Sequence, residues 1–159
     1  MALSKKLLGA HFRYPGYYMV EREKTREYAN AVKNTDEVFL SDEAAAELGY
    51  SGLPAPLTFI SVFGYVAQVA SFTHHGIALA DHKIVHVDQV LKFRHPIKSG
   101  DRLYCDVYVH KIRKAHGTDI VVNKVLFTND NGDVVQETYT TLAGRSEENG
   151  ESGFNDGTA

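Results

Sequence analysis

The stretch that most constrains the fold of this chain is Pro54–Phe72, which reads LPAPLTFISVFGYVAQVASF from Leu53. It is almost uncharged, it is long enough for about five helical turns, and Pro56 stands at a suitable first helical position. A helix that is apolar on most sides has to be buried. The run is too short and too often interrupted by polar residues to predict a membrane span. The rest of the chain is therefore expected to wrap around a central helix.

Four polar side chains of this helix fall on one side of it. Thr58, Ser61, Tyr65 and Gln68 are spaced three, four and three residues apart, which places them within an arc of about 80°. They are either core groups satisfied by neighbouring backbone or by a dimer partner, or the lining of a cavity for an elongated, mostly apolar ligand with a polar head. The pattern leaves both interpretations open.

After Gly76 the hydrophobic period changes from that of a helix to the alternation of strands. The strong turn sequence NDNGD joins the last two of the predicted strands into a hairpin. The alternation predicts antiparallel strands over Ile84–Arg94, Leu103–Ile112, Ile120–Thr128 and Val134–Ala143.

Two amides interrupt the predicted inner faces of these strands. In the first strand Val85, Val87 and Phe93 belong to the apolar row that is expected to face the core, and Gln89 stands in the same row. Asn123 interrupts the third strand in the same way. Each amide is either a hydrogen-bonded core group or part of a ligand cavity.

Helices followed by an antiparallel meander indicate the α+β class. Glu21–Lys33 predicts a first helix, and Ser41 caps a short second helix that Gly49 ends. A sheet wrapped around a long central helix is the hot-dog fold, which we predict as a single domain over residues 1–145. The segment 146–159 is rich in Glu, Gly, Asn and Ser and is predicted to be a disordered tail.

Charge and cysteine content exclude several function classes. A net charge of −3 without a basic run argues against a nucleic-acid partner. The single Cys105 and the lack of an apolar leader favour the cytoplasm. His74, His75, Asp81 and His82 lack the spacing of metal ligands, so we expect no metal and no cofactor.

From Ala2 to about Arg145 the chain resembles the substrate-binding subunit of actinobacterial (3R)-hydroxyacyl-[acyl-carrier-protein] dehydratases, within the MaoC-like, R-specific hydratase superfamily of hot-dog proteins. The order of four motifs carries the resemblance. They are REYANAVKNTDEVF, DEAAAELGYSGLPAPLTFISVFGY, VDQVLKFRHPIKSGDRLYCDVYV and NDNGDVVQETYTTLAGR.

The chain departs from that superfamily at the catalytic positions. Active R-specific hydratases carry Gly-Asp-x-Asn-Pro-x-His. In that motif the Asp and the His act on the water and the proton that are exchanged at the α and β carbons of the substrate. The resemblance places Asn34 in the slot of the Asp and Phe39 in that of the His. Neither side chain can act as a general acid or base. In such enzymes a glycine near the start of the buried helix helps to form the oxyanion site, and here Leu57 stands near that position instead.

The resemblance therefore implies that this chain holds the substrate and is inactive by itself. A short catalytic MaoC-like hot-dog subunit, in a heterodimer or a dimer of heterodimers, would supply the Asp and the His. The substrate would be a long (3R)-hydroxyacyl chain on acyl carrier protein, in mycolic-acid-type fatty acid elongation. The residues expected to line its tunnel are Phe59, Ser61, Phe63, Tyr65, Gln89 and Asn123.

Two other functions remain open at this point. The chain could be a self-sufficient homodimeric enoyl thioester hydratase or thioesterase that uses Asp36 or another relocated group. It could also be a stand-alone acyl-thioester-binding protein. Acyl chain length and the choice between acyl carrier protein and CoA thioesters are not decided by the sequence.

Overall fold

A long helix lies against one face of an antiparallel sheet in the computed structural model, which describes residues 7–80, 83–145 and 152–155. Two shorter helices precede it, α1 (Arg22–Ala31) and α2 (Asp42–Glu47). Ser41 caps α2 as expected, since its hydroxyl accepts a hydrogen bond from the Ala44 N–H at 3.3 Å. A 3-10 turn, Glu37–Phe39, lies between the two helices.

The central helix, α3, spans Ser61–His74 and so begins five residues later than the predicted start at Pro56. The residues before it cannot be helical because Pro54 forms an isolated bridge with Lys98 and the Ala55 N–H donates to the Ile97 carbonyl at 2.7 Å. The chain then turns through hydrogen bonds between residues three apart before the α-helical pattern begins. The sheet therefore decides where α3 starts.

The larger sheet has the strand order β1-β5-β6-β7-β4, with β2 also paired to β5. All of its pairs are antiparallel, and the edge strand β4 is paired only with β7 among the described residues. The strands of this sheet are β1 (His11–Arg13), β2 (Tyr18–Met19), β4 (Ile84–Phe93), β5 (Arg102–Ala115), β6 (Thr118–Thr128) and β7 (Val134–Arg145).

A second, two-stranded sheet joins β3 (Ala78–Leu79) to β8 (Phe154–Asn155). It corrects the predicted disorder of the tail at residues 152–155, because the Phe154 side chain is only 1% exposed. Composition had suggested disorder since polar residues surround this one aromatic ring. The remainder of the predicted tail, 146–151 and 156–159, lies outside the described residues.

The predicted inner face of β4 is also wrong in part. Val85 and Val87 are 61% and 60% exposed, whereas Phe93 keeps the predicted side, opposite the buried glutamine of β7. The register with β7 shifts between His86 and Asp88, which leaves Val87 without an opposite residue. Such a one-residue bulge reverses the faces of all residues on one side of it. Strict alternation across the bulge therefore fails.

The core lies between α3 and the centre of the sheet. Phe63 and Ala67 of α3 pack in one buried cluster with Leu103, Val107 and Phe127 of the strands. This arrangement confirms the predicted hot-dog fold. Within the described part of the chain, no helix has both the length and the apolar character that a bilayer crossing requires.

Candidate functional site

A cavity of about 300 Å³ lies between α3 and the paired strands β4 and β7, and we call it the first cavity. Its walls are mostly apolar, with hydroxyl, amide and imidazole groups among them. The lining residues are Ile60, Ser61, Gly64, Tyr65, Gln68, Val69, Phe72, Leu79, Ile84, His86, Gln89, Phe127, Thr138, Thr140 and Leu142.

The polar stripe of the helix faces this cavity over most of its length. Ser61, Tyr65 and Gln68 all line the cavity, one helical turn after another. Thr58 precedes α3 and takes a different role, because the Tyr28 hydroxyl donates to its carbonyl and lies 2.9 Å from its hydroxyl oxygen. The structure therefore favours the cavity interpretation for three of the four residues.

At the cavity floor, Gln68 and Asn123 form a hydrogen-bonded pair, and Thr140 lies opposite Asn123 on the next strand. The Gln68 amide donates to the Gly64 carbonyl at 3.2 Å, and the Asn123 amide donates to Gln68 Oε1 at 3.2 Å. The buried Asn123 Oδ1 and Thr140 Oγ1 have no hydrogen-bond partner. Because an unpaired buried polar atom is costly, this floor is suited to a polar group or water inside the cavity.

The six residues predicted to line the tunnel separate into three groups. Ser61, Tyr65 and Gln89 line the first cavity. Asn123 is 1% exposed and lies behind Gln68, so it acts on the cavity only through that amide. The two phenylalanines form the third group, which is buried in the core.

Phe59 and Phe63 lie in the core instead of the cavity lining. They are 1% and 3% exposed, and the Phe63 ring is 5.1 Å from that of Tyr18, centroid to centroid. The prediction differs because successive helical side chains are about 100° apart, so Phe63, two residues from both Ser61 and Tyr65, points to the opposite side of α3. Phe59 precedes the helix and packs in the same core cluster as Phe63.

Sequence reasoning missed three polar residues of the cavity lining: His86, Thr138 and Thr140. The two threonines alternate along β7, and that spacing could have been read as a polar inner row. His86 could not have been found, since only the bulge at Val87 puts it on the same side as Gln89. Its Nε2 donates to the Asp88 carbonyl at 3.1 Å.

A second cavity, of about 320 Å³, lies beside the 3-10 turn. It is lined chiefly by apolar and proline side chains, with three polar residues at one side. The lining residues are Val38, Phe39, Leu48, Tyr50, Pro54, Ala55, Pro56, Leu57, Phe93, Arg94, His95, Pro96, Ile97 and Gln136.

One of the two positions that the resemblance assigns to the catalytic pair, Phe39, lies at this second cavity, and the other, Asn34, is not among its lining residues. The Phe39 ring contributes to its wall, and Leu57 lies there with 66% of its surface exposed. Asn34 Oδ1 accepts a hydrogen bond from the Asp36 N–H at 3.2 Å, and Asp36 Oδ1 accepts one from the Val38 N–H at 3.2 Å. Both polar side chains therefore shape the turn, and Asp36 is engaged as a cap.

Other reactive groups of the chain are poorly placed for chemistry. Cys105 is fully buried, and this burial raises the pKa of its thiol to about 12, so it holds its proton at neutral pH. Over the residues that the structure describes, three or more potential metal ligands do not cluster anywhere. Asp81 and His82 lie outside those residues.

Comparison with known proteins places this geometry in a family. A family model described as "FAS1-like, dehydratase domain region" matches residues 6–138. A UPF0336 protein of Mycobacterium tuberculosis is 63% identical over 159 residues, which is the full length of both chains.

Two solved structures are similar in both fold and sequence. One is the C-terminally truncated HadBC (3R-hydroxyacyl-ACP dehydratase) complex from Mycobacterium tuberculosis, with a TM-score of 0.81, 44% identity, and coverage of 89% of this chain and 100% of that one. The other is a MaoC-like dehydratase with a TM-score of 0.80, 33% identity, and coverage of 88% of this chain and 42% of that one. This chain therefore belongs to the FAS1-like dehydratase region family of the hot-dog superfamily, together with the MaoC-like dehydratases.

Proposed function

We propose that this chain is the substrate-binding, non-catalytic subunit of a heteromeric (3R)-hydroxyacyl-[acyl-carrier-protein] dehydratase of long-chain, mycolic-acid-type fatty acid elongation. The observation that carries the proposal is the pair Asn34 and Phe39, which stand in the slots of the catalytic Asp and His. Elimination of water from a 3-hydroxyacyl thioester needs a base at the α carbon and an acid at the departing hydroxyl. An amide and a phenyl ring supply neither.

The first cavity supports a role in holding the acyl chain. Its wall runs along α3 from Ile60 to Phe72, a distance of about 18 Å at the rise of a helix. Each methylene that the cavity removes from water contributes about 0.8 kcal/mol. The polar groups at Ser61, Tyr65 and Gln89 give the thioester end of the substrate hydrogen-bonding partners.

The exposed edge of the sheet supports the presence of a partner subunit. Val85, Val87, Val90 and Phe93 of the edge strand β4 are each at least 44% exposed, and Val66 of α3 is 48% exposed. An apolar edge strand with unpaired backbone groups is a template for another strand. A hot-dog subunit docked there would cover this edge and bring its Asp and His close to the open side of the first cavity.

Reconstitution tests the proposal directly. The purified chain is assayed for hydration of a long trans-2-enoyl thioester, alone and after addition of a short MaoC-like subunit with the intact Asp and His from the same organism. We expect activity only in the mixture, and its loss when the partner's Asp is replaced by Asn. Hydration by the isolated chain at a rate ordinary for hydratases would disprove the proposal, and no activity in the mixture would leave acyl binding without catalysis as the function.

One observation favours a second candidate, a self-sufficient hydratase. His86 lines the first cavity, and imidazole is a side-chain type that serves as a general acid or base in hydratase-type chemistry. Described lining residues of that cavity include no carboxylate to work with it. In this second case the isolated chain would be active and His86→Asn would abolish the activity, whereas the proposed subunit loses no more than about twofold.

A further inference from the structure

We propose that Phe154 of the C-terminal strand β8 closes the far end of the first cavity and thereby sets the longest alkyl chain that the cavity accepts. The proposal rests on the proposed function in one respect, namely that the ligand is an acyl chain. The proposal gives the tail a role in specificity that the main sheet does not supply, because β8 lies outside the five-strand path of that sheet.

The inner face of β7 leads from the cavity to the tail. Thr138, Thr140 and Leu142 line the cavity at successive inward positions, and Gly144 occupies the next one. Phe154 covers Gly144 so closely that a Cβ built there would lie 2.9 Å from Phe154 Cε2. The ring of the tail therefore occupies the space that would extend the row of cavity positions.

The same ring supports the other walls at this end. Phe72 of α3 and Leu79 of β3 both line the cavity. The Phe154 ring centroid is 5.9 Å from that of Phe72, and Phe154 pairs with Leu79 across the small sheet. Helix, main sheet and small sheet thus meet at one aromatic side chain, which is only 1% exposed.

Backbone and hydroxyl contacts hold the tail segment in this position. The Gly153 N–H donates to the Arg145 carbonyl at 3.1 Å, and the Ala80 N–H donates to the Gly153 carbonyl at 3.0 Å. Ser152 Oγ accepts from the Phe154 N–H at 3.2 Å and is buried. A Cβ on Gly153 would lie 2.9 Å from Gly144 Cα, so the segment fits only with glycine at both positions.

These contacts give a physical limit to the length of the ligand. While an alkyl chain lengthens inside the cavity, each further methylene should strengthen binding about fourfold. Once the chain reaches the Phe154 ring, additional methylenes must bend back or remain in water, and the gain stops. Removal of the phenyl ring opens room for about three methylenes at close-packed density.

The test measures binding instead of turnover. S-alkyl pantetheine thioethers of about 8 to 24 carbons are titrated into the full-length wild-type, Phe154→Ala and Phe154→Leu chains by calorimetry, each with and without the MaoC-like partner, and affinity is plotted against length. We expect wild-type affinity to rise and then level off. The plateau should begin about three carbons later for Phe154→Ala and about one carbon later for Phe154→Leu, with unchanged affinity for the shortest chains.

Phe12→Ala is the matched control, since it removes the same atoms from a partly buried ring at the same end of α3. The Phe12 ring packs on His74 at 5.0 Å, and neither residue is among those that line the first cavity. Phe154, in contrast, packs on Phe72 and pairs with Leu79, which both line it. This control should keep the wild-type plateau. Phe154→Leu keeps an apolar side chain in the tail, so a graded shift can be measured even if Phe154→Ala does not fold.

The outcomes separate this proposal from the proposed function. An identical plateau in the wild-type and Phe154→Leu chains, or equal weakening of all chain lengths, would overturn the role of Phe154 while leaving the substrate-binding role intact. Absence of any rise with length in the wild-type chain, alone or with its partner, would overturn both. A shifted plateau without catalysis in the reconstituted complex would support the role of Phe154 and reject the dehydratase.

Discussion

The two cavities of this chain are nearly equal in volume, about 300 and 320 Å³, but they differ in chemistry. The first has hydroxyls and amides spread among apolar walls, and unpaired polar atoms at Asn123 and Thr140 at its floor. The second is walled by prolines and by apolar side chains such as Phe39 and Leu57. The first is equipped to hold a ligand that has both an apolar chain and a polar head.

The difference shows where the chain retains the features of its family and where it departs from them. The wall of the second cavity includes Phe39, one of the two positions that the resemblance assigns to the acid–base pair. Asn34 and Asp36, just before it in the chain, accept hydrogen bonds from backbone N–H groups of the turn. Gln136 of the second cavity is 2% exposed, and its Nε2 atom has no hydrogen-bond partner. Under the proposed function, the fold keeps a binding cavity while the positions of the acid–base pair belong to a loop.

The largest effect is expected from the aromatic side of α3, which lies in the core on the side away from the first cavity. Phe63→Ala should lower the free energy of unfolding by about 3 to 5 kcal/mol, because it deletes a buried ring from a close-packed cluster. Tyr65→Ala, on the 60% exposed side, should change it by no more than about 0.5 kcal/mol. Urea denaturation measures both, and similar losses would contradict the division of the helix into two sides.

Tryptophan insertion compares the two cavities directly. The natural chain has no tryptophan, so each variant also carries its own fluorescent reporter. Ser61→Trp should reduce the affinity for a long alkyl thioether by about tenfold to a hundredfold, because the indole occupies the first cavity.

Leu57→Trp places the same side chain at the second cavity. It should leave the affinity within about twofold of the wild-type value, and its emission should not respond to the ligand. Calorimetry and fluorescence titration measure both variants. Equal losses of affinity would indicate that the alkyl chain occupies the second cavity as well.

The unpaired hydroxyl of Thr140 in the first cavity should give a smaller change in the free energy of unfolding, and of the opposite sign. Thr140→Val should raise the free energy of unfolding of the ligand-free chain by about 1 kcal/mol, since it removes a buried polar atom that has no partner. In Thr25→Val the same change removes a hydroxyl that donates to the Glu21 carbonyl at 3.1 Å, so it should cost about 1 kcal/mol. Thermal or urea unfolding gives the two signs, and destabilisation by Thr140→Val would show that this hydroxyl has a water partner.

The smallest effect is expected at the slot of the catalytic Asp. Asn34→Ala removes one hydrogen bond to the Asp36 N–H in a loop and should change kcat of the reconstituted dehydratase by less than about twofold. Steady-state assays with the MaoC-like partner measure this. A tenfold loss of kcat, without a change in substrate affinity or folding, would show that Asn34 takes part in the reaction. It would contradict the interpretation that Asn34 only shapes the turn.

Much of the fold followed from local patterns. The caps at Ser41 and Gly49, the hairpin turn before β7 and the alternation of β5, β6 and β7 depend on residues close in sequence, and each matches the structure. The apolar stretch from Pro54 to Phe72 required a buried helix for the same reason. Its polar side also indicated part of the first cavity, through Ser61 and Tyr65.

The sequence by itself therefore determined that a buried helix would carry a polar stripe and be wrapped by an antiparallel sheet, because helical and strand periods are local properties. Only the tertiary structure decided which residues form the cavity walls. The bulge at Val87 turns His86 inward, and the tail brings Phe154 onto Gly144. Both depend on contacts between segments far apart in the chain, where no local pattern records which side of a strand meets the core or which ring fills its end.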